Sequence, residues 1–143
     1  MMKSLVTEIL GVPANQNDAA QALGQYKWKN RLLVVFSDTS NAKAARQENM
    51  LMTERSGLGE RDMLVLRIRG GSVMPIYGSG VELNADKIRR DVQGPEAGEF
   101  AVVLVGMDGT VKLSAHEPVT PAEIFALVDS MPMRAAEQHK PMQ

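Results

Sequence analysis

Hydrophobic residues in this chain fall in short blocks separated by polar or Gly/Pro-rich stretches, and the densest block is Leu32-Leu33-Val34-Val35-Phe36. Five consecutive apolar residues, rich in strand formers, predict a strand buried on both faces at the centre of an α/β layer. The polar run Ser37-Asp38-Thr39-Ser40-Asn41 follows, with Ser40 or Asn41 placed to cap a helix from about Ala42 to Arg55, closed by Gly57 and Gly59. Its apolar positions, Ala45, Met50, Leu51 and Met52, form no strong stripe, so this helix is expected to be half exposed. Met63 to Ile68 is a second, nearly continuous apolar strand, and strand, helix, strand in this span predicts a right-handed parallel βαβ unit.

Gly70 to Gly80 contains Gly70, Gly71, Pro75, Gly78 and Gly80 and reads as a loop. Asn84 caps a predicted short helix from Ala85 to Gln93, stopped by Gly94-Pro95, and Phe100 to Val105 is a third buried strand. Asp108-Gly109 marks a tight hairpin into Val111–Ser114, whose alternation is that of an edge strand with one wet face. Thr120-Pro121-Ala122-Glu123 is a full capping box with Pro at the first helical position. Ile124, Leu127, Val128 and Met131 then recur on one helical face, and Pro132 ends the pattern. The resulting order is β-α-β-α-β-β-α in a single mixed sheet with helices on both faces, the order of the thioredoxin-like fold. Upstream, Leu5, Val6, Ile9 and Leu10 form a short amphipathic segment that packs on the domain's own flank or on a second subunit, giving a possible homodimer through the N-terminal segment. The expected organisation is an extension over 1–22, the thioredoxin-like domain over 23–134 and a flexible tail over 135–143.

Composition narrows the chemistry. The 143 residues suffice for one domain with its own core, and aromatics at 4% leave that core to aliphatic and Met side chains. A formal charge of −1 gives no reason to expect nucleic acid as partner, and no stretch approaches the length of a membrane span. Glu8 interrupts the first apolar run, so as written the chain reads as cytoplasmic, or as exported if it is a trimmed form of a longer precursor. There is no cysteine, which removes disulfides, thiolate metal sites and any thiol nucleophile.

Several residues carry a family resemblance. Trp28-Lys29-x-Arg31 before the first strand, Glu60-Arg61-Asp62 before the second, Asp108-Gly109-x-x-Lys112 at the hairpin and Met131-Pro132-Met133-Arg134 after the last helix stand in order around the core strands. Together, over about Leu23 to Arg134, they resemble the peroxiredoxin-like domain of unknown function found in many bacterial proteins and in vertebrate extracellular sushi-repeat proteins. The resemblance implies a thioredoxin-like fold and no established reaction.

Thioredoxin-fold redox enzymes hold a thiolate at the N-terminus of the helix after the first core strand and carry a Pro immediately before the third. Here those places hold Ser37–Asn41 and Gly98-Glu99, so thiol and peroxide chemistry are excluded for the chain on its own. Ser37, Asp38, Thr39, Ser40 and Asn41 remain the candidate ligand or partner site, with a simple capping loop as the alternative. Gly70–Gly80 lacks the Gly-Lys-Ser/Thr of a phosphate loop, and His116 and His139 have no partner at metal spacing. The methionines are read as core filling, and Trp28, among Lys27, Lys29 and Arg31, as covering the sheet edge. Arg61, Asp62, Asp108, Lys112 and Arg134 are read as a salt-bridge network on the sheet's rim or a binding surface. No catalytic residue, cofactor or metal is called for. The expectation is a binding module for an unidentified protein or small molecule, the alternative being an enzyme or ligand carrier working at Ser37–Asn41.

Overall fold

The computed structural model describes residues 23–78 and 83–131. The N-terminal segment, Pro132, Met133, Arg134 and the tail lie outside the described residues, as do the expectations that rest on them. Among the described residues five strands form one sheet: β1 (Arg31–Phe36), β2 (Met63–Arg69), β3 (Ser72–Tyr77), β4 (Ala101–Val105) and β5 (Val111–Ala115), in the spatial order β3-β2-β1-β4-β5. Four helices accompany them among the described residues: α1 (Ala42–Met52), α2 (Arg55–Glu60), α3 (Ala85–Asp91) and α4 (Pro121–Asp129).

β1 is central, as its apolar run requires. It pairs in parallel with β2 from Arg31↔Met63 to Phe36↔Ile68, and antiparallel with β4 from Leu32↔Val105 to Phe36↔Ala101. Every β1 residue is buried, and the side-chain alternation divides them between two cores. Leu32, Val34 and Phe36 join Val103, Ala85, Ile88 and Tyr26 on the face covered by α3. Leu33 and Val35 join Val102, Leu104, Leu51, Leu58, Ile124 and Val128 on the face covered by α1, α2 and α4. Each fully buried aliphatic side chain contributes roughly 1.5–3 kcal/mol.

Two expectations fail for physical reasons. Residues expected to form a Gly/Pro loop include strand β3, which returns antiparallel along β2 with a register shift at Val65/Leu66. Pro75 is tolerated because β3 is an edge strand, where a missing N–H need not break a ladder bond. The helix expected to run to Arg55 stops at Met52 and restarts as α2, so the order is β-α-α-β-β-α-β-β-α. Its inward face is also different: Ala44, Gln47, Glu48 and Leu51 are buried. Two of these are polar and carry their own partners. The Gln47 side chain donates to Val119 O and accepts from Val119 N, both at 2.8 Å, while Glu48 receives two Arg67 N–H groups at 2.6 and 2.8 Å. A hydrophobicity stripe cannot register such a face.

The helix caps at Asn84 and Thr120 are as expected. The Asn84 side chain accepts from Lys87 N at 2.9 Å, and α3 ends two residues earlier than the pattern indicates. At α4, Glu123 N donates to Thr120 Oγ1 at 3.2 Å, and Glu123 Oε1 accepts from Thr120 N at 3.1 Å. Thr120→Ala is expected to cost about 1 kcal/mol in urea unfolding. Leu33→Ala, at a fully buried position, should cost about 2–5 kcal/mol. A larger loss from the cap than from Leu33 would contradict this placement of the core.

Candidate functional site

The loop after β1 is bound to itself. Ser37 N extends the β1–β2 ladder to Ile68 O, and Ser37 Oγ donates to Asn41 Oδ1 at 2.8 Å. Asn41 occupies the N-cap position of α1 in the left-handed region (φ 63°) and makes no side-chain cap bond. The expectation that Ser40 or Asn41 caps α1 therefore needs correction. Asp38 supplies most of the cap: Oδ1 accepts from Ala44 N at 3.1 Å, and Oδ2 accepts from Lys43 N at 3.2 Å and Ser40 Oγ at 3.0 Å. Ser40 Oγ adds a long bond from Ala42 N, at 3.4 Å. Thr39 N donates to Gly98 O at 3.0 Å, tying this loop to the chain that leads into β4. Gly98 has φ +89°, and a Cβ there would lie 2.6 Å from Thr39 Oγ1, so only glycine fits.

Burial would raise the Asp38 carboxyl, but the N–H groups of Lys43 and Ala44 and the Ser40 hydroxyl outweigh it and hold the pKa down to about 2. The N-terminus of α1, where helical N–H groups and the dipole attract an anion, thus already holds the chain's own carboxylate. Ser37 is not activated as a nucleophile, since its hydroxyl donates to an amide oxygen, which is not a base. A carboxylate titrating near 2 is likewise far from the pKa of an effective general base at neutral pH.

The signature residues gather at the opposite end of β1. Arg31, at 1% exposure, donates from Nη1 to Arg61 O at 2.9 Å, and its backbone N–H donates to Asp62 O. Arg61 joins α2 to α4: it grips Asp129 at 3.0 and 2.9 Å, donates to Gly57 O and stacks 4.1 Å from the Phe125 ring. At the hairpin, Asp108 accepts from Thr110 N, Thr110 Oγ1 and Lys112 Nζ. The two Thr110 bonds, and then Lys112, hold its carboxyl down to about 2 against desolvation. Gly109 turns the hairpin at φ +83°. Trp28, Arg31, Met107, Asp108, Lys112 and Met131 together line a groove of about 260 Å3. Trp28 does not cover the sheet edge: it is 59% exposed, with Lys27 Nζ 5.7 Å from the ring centroid.

Beside this groove, a cleft of about 430 Å3 is lined by Tyr26, Lys27, Asn30, Asp91, Asp108 and Thr110, among others. Among the described residues the Tyr26 hydroxyl is buried there without a hydrogen-bond partner, and an unsatisfied buried hydroxyl costs roughly 1–3 kcal/mol. Burial pushes the Asp91 carboxyl above the usual carboxylate range. The sequence offered no signal for either residue, because each looks like an ordinary member of a turn or helix end. Among the described residues, no three His, Asp or Glu side chains form a metal-binding group, and no helix is long and apolar enough to cross a membrane.

Among the described residues, a five-stranded mixed sheet, four helices and a thiol-free polar loop at the carboxyl end of the central strand define a cysteine-free α/β domain. The chain belongs to the family described as Domain of unknown function (DUF4174), which matches residues 22–137. It is similar to the Sushi repeat-containing protein SRPX2 of Homo sapiens, at 31% identity over 122 residues, covering 82% of this chain and 26% of that protein. Identity to the Rattus norvegicus SRPX2 is 32% over the same length and coverage. The Coiled-coil domain-containing protein 80 of Danio rerio is 27% identical over 150 residues, covering 89% of this chain and 17% of that protein. The chain thus spans about a quarter or less of the length of these relatives.

Asp38→Ala is expected to destabilise the protein by about 1 kcal/mol in urea, as loss of a helix cap does, and Ser37→Ala by less. Asp38 and Asp108 both have depressed native pKa values. Their stabilisation is complete above the unfolded value, about 3.9, and is lost as pH falls from there toward about 2. Asp91 acts in the opposite sense, its contribution fading as pH rises through its elevated native value. Acid unfolding curves of wild type and Asp38→Ala should therefore converge as pH falls below about 4. A gap that stays constant down to pH 2 would show that the carboxylate is not the capping group.

Proposed function

We propose that this domain is a thioredoxin-like, peroxiredoxin-related binding module and not a thiol redox enzyme. The β1-α1-β2 parallel unit and the β4-β5-α4 unit flanking it support the thioredoxin-like reading. The sheet also carries an antiparallel edge strand, β3, beside β2. The relation to sushi repeat-containing proteins supports an exported setting in a larger architecture. One observation carries the functional reading: the α1 N-terminus, the place where that fold presents a thiolate or binds an anion, is filled by Asp38. Recognition then falls to surfaces away from the loop. The alternative, a ligand carrier or enzyme at Ser37–Asn41, requires Asp38 to release Lys43 N and Ala44 N first.

Two measurements test this. The purified protein is expected neither to reduce insulin disulfides nor to consume hydrogen peroxide beyond one equivalent per methionine, since Met oxidation is stoichiometric. Turnover beyond that, free of contaminating reductase and metal, would overturn the non-redox reading. Inorganic phosphate should leave the amide resonances of Lys43 and Ala44 unmoved. Saturable shifts there would favour the carrier.

A further inference from the structure

Trp28 is the chain's single tryptophan and the most exposed of its large hydrophobic side chains among the described residues. Its backbone is also in a costly place. A bulky residue at φ 68° is an outlier that persists only where its surroundings impose it, and here the Trp28 N–H is held by Met107 O at 2.7 Å. The fold thus pins the indole outward, in a conformation a smaller or more flexible residue would adopt at less cost. Neither stability nor solubility explains an exposed tryptophan held in this way.

We propose that Trp28 and the groove beside it form a docking surface for an acidic protein segment carrying an apolar side chain. This deepens the binding-module reading and rests on it. The floor of the groove is apolar and adaptable: Met107 and Met131 line it, and Met side chains repack around varied partners. Its exposed cations flank the aromatic, Lys27 and Lys29 standing on either side of Trp28. Within the groove, Lys112 is paired with the lining carboxylate Asp108, which Thr110 also engages, and Arg31 is buried. Asp62 is joined to this end of β1 through its carbonyl, which accepts from Arg31 N and Asn30 Nδ2. In a chain of net charge −1 this is a local excess of positive charge around an exposed aromatic, and the complementary partner is acidic. An aromatic anchor beside a small apolar concavity is the composition of an interface hot spot, and glutamate or aspartate next to an aliphatic residue satisfies both halves.

Trp28 also reports on the surface, since its emission has no second tryptophan to mask it. The intact chain is titrated with a short synthetic peptide of glutamates with leucine at every third position. The expected result is a saturable blue shift of emission, weakened about tenfold by raising salt from low to several times physiological strength. The double variant Lys27→Glu/Lys29→Glu should lose most of the response. Trp28→Gly, followed by anisotropy of labelled peptide, should bind about tenfold or more weakly with no fall in melting temperature, because glycine relieves the left-handed backbone.

Unchanged Trp28 emission at saturating peptide would overturn the proposal. So would equal binding of the matching lysine–leucine peptide. Displacement of the acidic peptide by a single-stranded oligonucleotide would assign the surface to nucleic acid instead. An emission shift that depends on protein concentration without peptide would assign it to a second copy of the chain. Each result is independent of peroxide or disulfide turnover, so failure here is distinguishable from failure of the non-redox reading.

Discussion

Everything in this domain follows from the complete burial of β1. A strand with no exposed residue must have both faces covered and both edges paired. Pairing is supplied in parallel by β2 and antiparallel by β4, and cover is supplied by α3 on one side and by α1, α2 and α4 on the other. Even Arg31, the first residue of the strand, is buried, its guanidinium reaching the carbonyl of Arg61. With its middle sealed, the strand meets solvent only through the loops at its two ends. Any site built on β1 is therefore confined to those ends.

The two ends are built in opposite ways. At the carboxyl end the polar groups serve one another: Asp38 closes α1, Ser37 binds Asn41, and Thr39 joins Gly98. The loop is satisfied internally and has no activated group. At the amino end a strained Trp28, flanked by the exposed Lys27 and Lys29, projects beside a Met-lined groove. Backbone strain and exposed apolar surface coincide at this end, and the proposed docking surface rests on that coincidence.

How much of this was legible in the sequence depended on whether the determining interaction was local. The Leu32–Phe36 run, the Asn84 cap and the Thr120–Glu123 box rest on residues three or four apart, and their patterns survive in the structure. Asp38 was misread because it caps from five and six residues upstream of the N–H groups it holds, a spacing made possible by the left-handed turn at Asn41. Strand β3 was hidden by Gly70, Gly71 and Pro75, which signal a loop unless the strand is known to lie on an edge. The inward face of α1 was hidden because Gln47 and Glu48 are buried by specific partners, not by apolarity. The signature residues at the amino end of β1 were visible as a group, while the outward setting of Trp28 depends on a bond to Met107, far away in the chain.

The account stands or falls on Asp38 as the occupant of the α1 N-terminus. The most direct measurement is its own titration, followed through the side-chain carboxyl carbon by NMR in the intact folded protein. A midpoint near 2 is expected, because the backbone N–H groups of Lys43 and Ala44 favour the charged form. A midpoint at the ordinary carboxylate value of about 3.9 would mean that the helix N-terminus is open, and the carboxyl end of β1 would again be the place to look for a ligand.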